Sequence, residues 1–250
     1  MTRAPKFDLW AQGRRESFSE DGAKRGNALT TTVGADYRWH SKLLIGGLMQ
    51  IDDSHQTILA APDASDGTAY LAGPYVVYRL TPNVVFDAKA TLGTAHDSAA
   101  AGPADVHLAT NRMLSEARLI GQWGWNAWQL SQSGAITYLD DARHGGIPGA
   151  LETAPDITRL SVGPKLKRHI DTGNGASIEP FAFFKSSLNL GESGWTAPAG
   201  QNTVGGGVLL TKPDKYKIRA AADFTDSLNG TDEIATGKVS VSVPASLFGF

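Results

Sequence analysis

The sequence predicts an all-β chain, with residues 1–250 folded as a single domain of about twelve antiparallel strands closed into a transmembrane β-barrel. Three observations carry that expectation. Segments of about ten residues alternate apolar and polar side chains with period two, which in a strand gives one oily and one wet face. The connections between these segments alternate between short and long. Aromatic residues gather beside the short ones. Strands of globular proteins usually run five or six residues, whereas a tilted strand crossing a bilayer needs about nine to eleven.

The segments fall at residues 7–18, 28–39, 43–52, 68–80, 84–94, 112–123, 127–139, 157–169, 177–188, 203–211, 216–225 and 235–243. In the second, Leu29, Val33, Ala35 and Tyr37 oppose Thr30, Thr32, Asp36 and Arg38. In the fifth, Val84, Phe86, Ala88, Ala90 and Leu92 oppose Val85, Asp87, Lys89 and Thr91. It is joined to the fourth by Thr81-Pro82-Asn83, a tight turn in which Pro presets one dihedral and Asn tolerates the left-handed region. The sixth places Glu116 and Arg118 on its wet face, and the ninth places Glu179 and Lys185 there. In the eighth, Leu160, Val162 and Leu166 oppose Arg159, Ser161, Lys165 and Lys167. In the eleventh, Tyr216, Ile218, Ala220, Ala222 and Phe224 alternate with Lys217, Arg219 and Asp223. A charge facing lipid near midplane costs about 2–4 kcal/mol for Arg or Lys, so these charged residues are expected to face the lumen.

Short turns are expected at 40–42, 81–83, 124–126, 171–175 and 212–215. Long loops are expected at 19–27, 53–67, 96–111, 140–156, 189–202 and 226–234. Outer-membrane barrels have short periplasmic turns and longer outer loops. Trp39, Tyr78, Trp123, Trp125, Trp128 and Tyr216 crowd against the short turns, as an interfacial girdle does. Alternation by itself also fits a soluble β-sandwich with its apolar faces inward, which would read as a binding module.

Composition removes other classes. With 23 Lys and Arg against 25 Asp and Glu there is no basic excess, so nucleic acid is not an expected partner. The absence of cysteine excludes a disulfide framework and a thiolate metal site, and no apolar run is long enough for a transmembrane helix. The opening MTRAPK lacks the apolar core of a signal peptide.

FDLWAQGRRESF, ALTTTVGADYRWHSKLLIGGLMQ and GTAYLAGPYVVYRLTPNVVFDAKATLG, within residues 7–93, resemble the β-domain of autotransporters, the translocator of type V secretion. The resemblance lies in a GADYR strand followed by a GGL strand, the GPYVVYRL hairpin, and the closing GKVSVSVP at 237–244, similar to the family's last strand. It implies a twelve-stranded, monomeric barrel in the bacterial outer membrane, inserted by the barrel-assembly machinery and exporting an N-terminal passenger polypeptide through its lumen. A pore helix and a passenger usually precede the first strand. Here Met1 lies six residues before Phe7, so the chain reads as a translocator without them. Val239, Val241 and Val243, with Phe248 and Phe250, fit a C-terminal assembly signal, although the family more often ends at a Phe directly after SVP and this chain continues ASLFGF.

Catalytic and metal constellations are weak, and neither a cofactor nor a metal is expected. Five of the six histidines fall in or beside predicted connections. His96 with Asp97, and Asp140 and Asp141 with His144, are the residue types of an acid/base or metal pair on a surface hydrolase. Ser131 and Ser133 read as wet-face strand residues, and no G-x-S-x-G, H-E-x-x-H or phosphate-loop motif is present. The triplet 205–207 reads as a place of curvature or close approach. The leading expectation is a translocator and anchor with no chemistry of its own. The alternatives are an outer-membrane barrel hydrolase and the soluble binding module.

Overall fold

The structure, a computed structural model, describes residues 6–20, 24–58, 64–101, 104–144, 157–173, 175–191, 200–213, 215–228 and 232–244. Its strands are β1 (Phe7–Glu20), β2 (Lys24–His40), β3 (Leu43–Ile58), β4 (Ala64–Thr81), β5 (Val84–Ala101), β6 (Ala104–Trp125), β7 (Trp128–His144), β8 (Ile157–Arg168), β9 (Ile170–Asp171), β10 (Ser177–Gly191), β11 (Gly200–Lys212), β12 (Tyr216–Ser227) and β13 (Asp232–Pro244). The two-residue β9 continues β8 past His169, and both pair with β10, so the wall has twelve staves. Each stave pairs antiparallel with the next, and β13 pairs with β1 to close the ring. In that seam Leu9 lies opposite Val243 and Ala11 opposite Val241. Closure leaves no row of unpaired backbone groups, the condition a sheet must meet to stand in hydrocarbon.

The oily rows face out. Leu29, Val33, Leu92, Leu119, Ile136, Leu160, Val162, Val204, Phe224 and Val239 are all exposed on a single ring. The sandwich alternative is therefore overturned: no second sheet covers these side chains, and the narrower interior takes the polar ones. Small and hydroxylated residues are buried inside, among them Thr32, Thr91, Ser187, Thr203 and Thr236. The small apolar core consists of Ala69, Leu71 and Ala95 with Leu114 packed against them, on neighbouring β4, β5 and β6. Trp39, Tyr78, Trp123, Trp125 and Trp128 are exposed beside the short turns, and Trp39 is 69% exposed.

The expected long loops are corrected. Pairing runs on to Thr57↔Ala64, Ala101↔Ala104 and Glu20↔Lys24, so most of 53–67, 96–111 and 19–27 is strand. The cause is that apolar alternation ends where lipid would end, whereas a backbone ladder continues on polar side chains. Thr68 Oγ1 donates to Asp53 at 3.1 Å and His55 meets Asp66 at 2.5 Å across one such extension. The turn expected at 124–126 is shifted by one or two residues, since Gly124 pairs with Gln129 and Asn126 bends the chain at φ 52°. Asn83 does not use the left-handed region. In the 171–175 turn Gly173 and Gly175 do, at φ 78° and 76°, and the Gly173 N–H donates to Asp171 Oδ1 at 2.8 Å.

Candidate functional site

Period two sends every second side chain of twelve staves toward one axis, and the charged ones meet there. A cavity of about 670 Å³ is lined by Arg14, Asp87, Lys89, Glu116, Arg118, Arg159, Lys185 and Lys238. A second, of about 390 Å³, lies toward the short turns and is lined by Lys165, Lys167, Lys217 and Arg219 with Gln122 and Gln129. Both touch Trp10 and Gln12.

On β5 and β6 the charges are paired. Arg118 Nη2 donates to Glu116 Oε1 at 2.7 Å, and its Nε lies 3.4 Å from Asp87 Oδ1 without forming a hydrogen bond. Lys89 Nζ is 3.7 Å from Glu116 Oε2. These partners are fixed by register, because Lys89 stands opposite Glu116 and Asp87 opposite Arg118. Elsewhere Lys167 Nζ donates to Glu179 Oε2 at 2.8 Å, His169 Nδ1 is 3.0 Å from Glu179 Oε1, and Arg14 pairs with Glu16. Arg159 Nε donates to Asn189 Oδ1 at 2.7 Å.

A chain of hydrogen bonds crosses the short-turn half. Trp10 Nε1 donates to Tyr75 Oη at 2.8 Å, and Tyr75 Oη donates to Asp36 Oδ2 at 2.9 Å. The rings need glycines beneath them. A Cβ on Gly34 would strike the Trp10 indole and one on Gly46 the Tyr75 ring, so both aromatic groups lie flat on neighbouring strands. Gly205 and Gly207 similarly admit Phe183 and Phe181, and Asp223 lies against Gly205.

Of the other sequence candidates, Arg38 is exposed at the short-turn rim, where its N–H donates to Lys6 O at 2.7 Å. Val239 and Val241 are exposed and Val243 is half-buried, while Phe248 and Phe250 lie outside the described residues. His96 and Asp97 are adjacent in β5 and so point to opposite faces, which prevents them from acting as one acid/base pair. Of the second pair's residues, Asp140 is in β7, and the side chains of Asp141 and His144 are outside the described set. Among the described residues no group of three or more His, Asp or Glu could hold a metal. Sequence reasoning omitted Arg14, Glu16 and Lys238, although period two in β1 and β13 would have included them. Tyr75 had no such signal, because its role depends on Trp10, 65 residues away in sequence.

No family model and no curated protein matches the chain by sequence. Among solved structures it is similar to the β domain of the Bordetella autotransporter BrkA, with a TM-score of 0.84 at 15% identity over 95% of this chain and 99% of that one. It is similar to the translocator domain of autotransporter NalP from Neisseria meningitidis, with a TM-score of 0.70 at 14% identity over 96% and 89% of the two chains. The transport unit of the autotransporter AIDA-I from Escherichia coli gives 0.69 at 12% identity over 96% and 90%. What is common at such identities is the path of the backbone: the chain has the closed twelve-stranded barrel fold of autotransporter translocator domains.

Proposed function

We propose that this barrel stands in the bacterial outer membrane as a monomeric translocator and anchor, exporting or displaying a passenger polypeptide joined before its first strand, and performing no chemistry of its own. One observation carries this reading. The ring is oily outside and charged inside, and Asp8 pairs with Pro244 so that the first and last strands meet at the rim of short turns and exposed tryptophans. A segment joined to β1 at that rim has the polar interior as its route to the hairpin side, while the aromatic girdle holds the rim at the membrane interface. The outward valines of β13, with Phe248 and Phe250, supply the signal for the assembly machinery. The same fold in BrkA, NalP and AIDA-I supports the reading.

The test is display. A reporter epitope and a helical linker are fused before Phe7, and the fusion is expressed behind an export signal in a Gram-negative host. Protease added to intact cells is expected to remove the epitope and leave a barrel that still shows heat-modifiable migration. An epitope that stays protected while the barrel is folded in the outer membrane overturns the translocator reading.

A further inference from the structure

The charge on the interior wall is lopsided. On β5 and β6, Lys89 and Arg118 each meet a carboxylate. From β8 round to β13, Lys165, Lys185, Lys217, Arg219 and Lys238 have none within 4.0 Å among the described residues. Glu179, in the same sector, is already held by Lys167 and His169. Instead of an acid, Lys165 Nζ and Arg219 Cζ share an aromatic ring, at 4.2 and 4.7 Å from the centroid of Phe181, which is 6% exposed. The Nε of Arg219 is shielded from solvent and has no hydrogen-bond partner. Like charges are thus gathered on one ring with their donors unspent.

The arrangement is a stripe rather than a point. Lys165 and Lys167 are two residues apart on β8, as are Lys217 and Arg219 on β12, so each step along the wall is about 7 Å. The eight residue steps from Lys167 to Arg159 cover about 26 Å. An extended polypeptide presents successive same-side groups at that same spacing of about 7 Å. Gln12, Gln122 and Gln129 line the short-turn cavity and add neutral amides.

We propose that the β8–β13 wall is a binding track for an acidic polypeptide segment, whose Asp and Glu side chains engage these cations in succession while the segment occupies the interior. This rests on the interior being a conduit, and it specifies the chemistry of what fits there. The paired β5–β6 wall faces the same space as a charge-balanced surface that offers the segment few free cations.

The experiment uses the full chain, detergent-solubilised and heat-modifiable, with fluorescein-labelled deca-glutamate read by fluorescence anisotropy. Binding is expected at low ionic strength, weakening at least about tenfold between about 50 and about 300 mM NaCl, with deca-lysine not bound. The double variant Lys185→Gln/Lys238→Gln is expected to weaken binding at least about tenfold, whereas Lys42→Gln, in an exposed turn, leaves it unchanged. Equal binding of deca-lysine, or a double variant that keeps heat-modifiability and full affinity, overturns the proposal. An oligothymidylate of equal charge that binds as tightly overturns the assignment to a peptide. Deca-glutamate binding by a barrel that fails the display test would leave the track standing and remove the conduit reading, so the two failures are distinguishable.

Discussion

The staves β2–β7 and β8–β13 obey the same alternation and bury the same kinds of backbone, yet they differ in height and in how they treat charge. Strands β2–β7 run 16 to 22 residues, while β8 and β10–β13 run 12 to 15. A membrane crossing needs about nine to eleven, so the tall half continues well past it as hairpin. It carries its own supports there, such as Ser54 Oγ donating to Gly67 O at 3.3 Å and the His55–Asp66 pair. The tall half also holds the apolar cluster of Ala69, Leu71, Ala95 and Leu114 and the ion pairs of β5–β6. The short half has Glu179, held by Lys167 and His169, and leaves Lys165, Lys185, Lys217, Arg219 and Lys238 with no acid within 4.0 Å among the described residues. In the tall half Lys89 and Arg118 meet acids, as charges in a support do; the short half is left with unmet charge, as a surface that meets something is.

The largest effect is expected on the feature common to both halves, the oily exterior. Val162→Arg places a guanidinium on the outer face of β8 and should cost about 2–4 kcal/mol, enough to block assembly. Ser161→Arg, one residue away but lining the interior cavity, should assemble. Heat-modifiable migration in outer membranes checks the pair, and equal assembly of the two variants would mean that the faces of this half are misassigned.

The next pair breaks the comparison directly. Glu116→Gln leaves Arg118 and Lys89 without their shared acid and should destabilise the tall half by about 2 kcal/mol. Lys185→Gln removes an unpartnered cation and should change stability by no more than about 0.5 kcal/mol in either direction. Urea unfolding of the refolded barrel in lipid vesicles measures both. A loss for Lys185→Gln as large as for Glu116→Gln would show that the short half is charge-balanced after all.

The smallest effect belongs to the hairpin tips. His55→Ala removes an exposed ion pair and should cost less than about 0.5 kcal/mol, with assembly unchanged. A large loss in the same unfolding assay would mean that the tall extension is part of the cooperative barrel rather than a decoration upon it.

Alternation by itself determined much of this protein. It assigned Leu160 and Val162 to one face and Arg159, Ser161 and Lys165 to the other, and the even count of staves required β1 to meet β13 antiparallel, because parity is a property of each strand alone. It did not reach His96 and Asp97, which the sequence places in a loop; only the extended β5 sets these neighbours on opposite faces. Tertiary structure decided what depends on register between strands. That Lys89 faces Glu116 while Lys185 faces no acid follows from which residues the ladder sets side by side, and no period within one strand contains it. The Trp10–Tyr75–Asp36 chain joins β1, β4 and β2 over glycines of β2 and β3, so its partners become neighbours only when the sheet curves. The height of β3–β6 was hidden for a related reason: lipid selects apolar side chains only within its own thickness, and beyond it the backbone ladder goes on pairing without leaving a mark in the hydrophobic pattern.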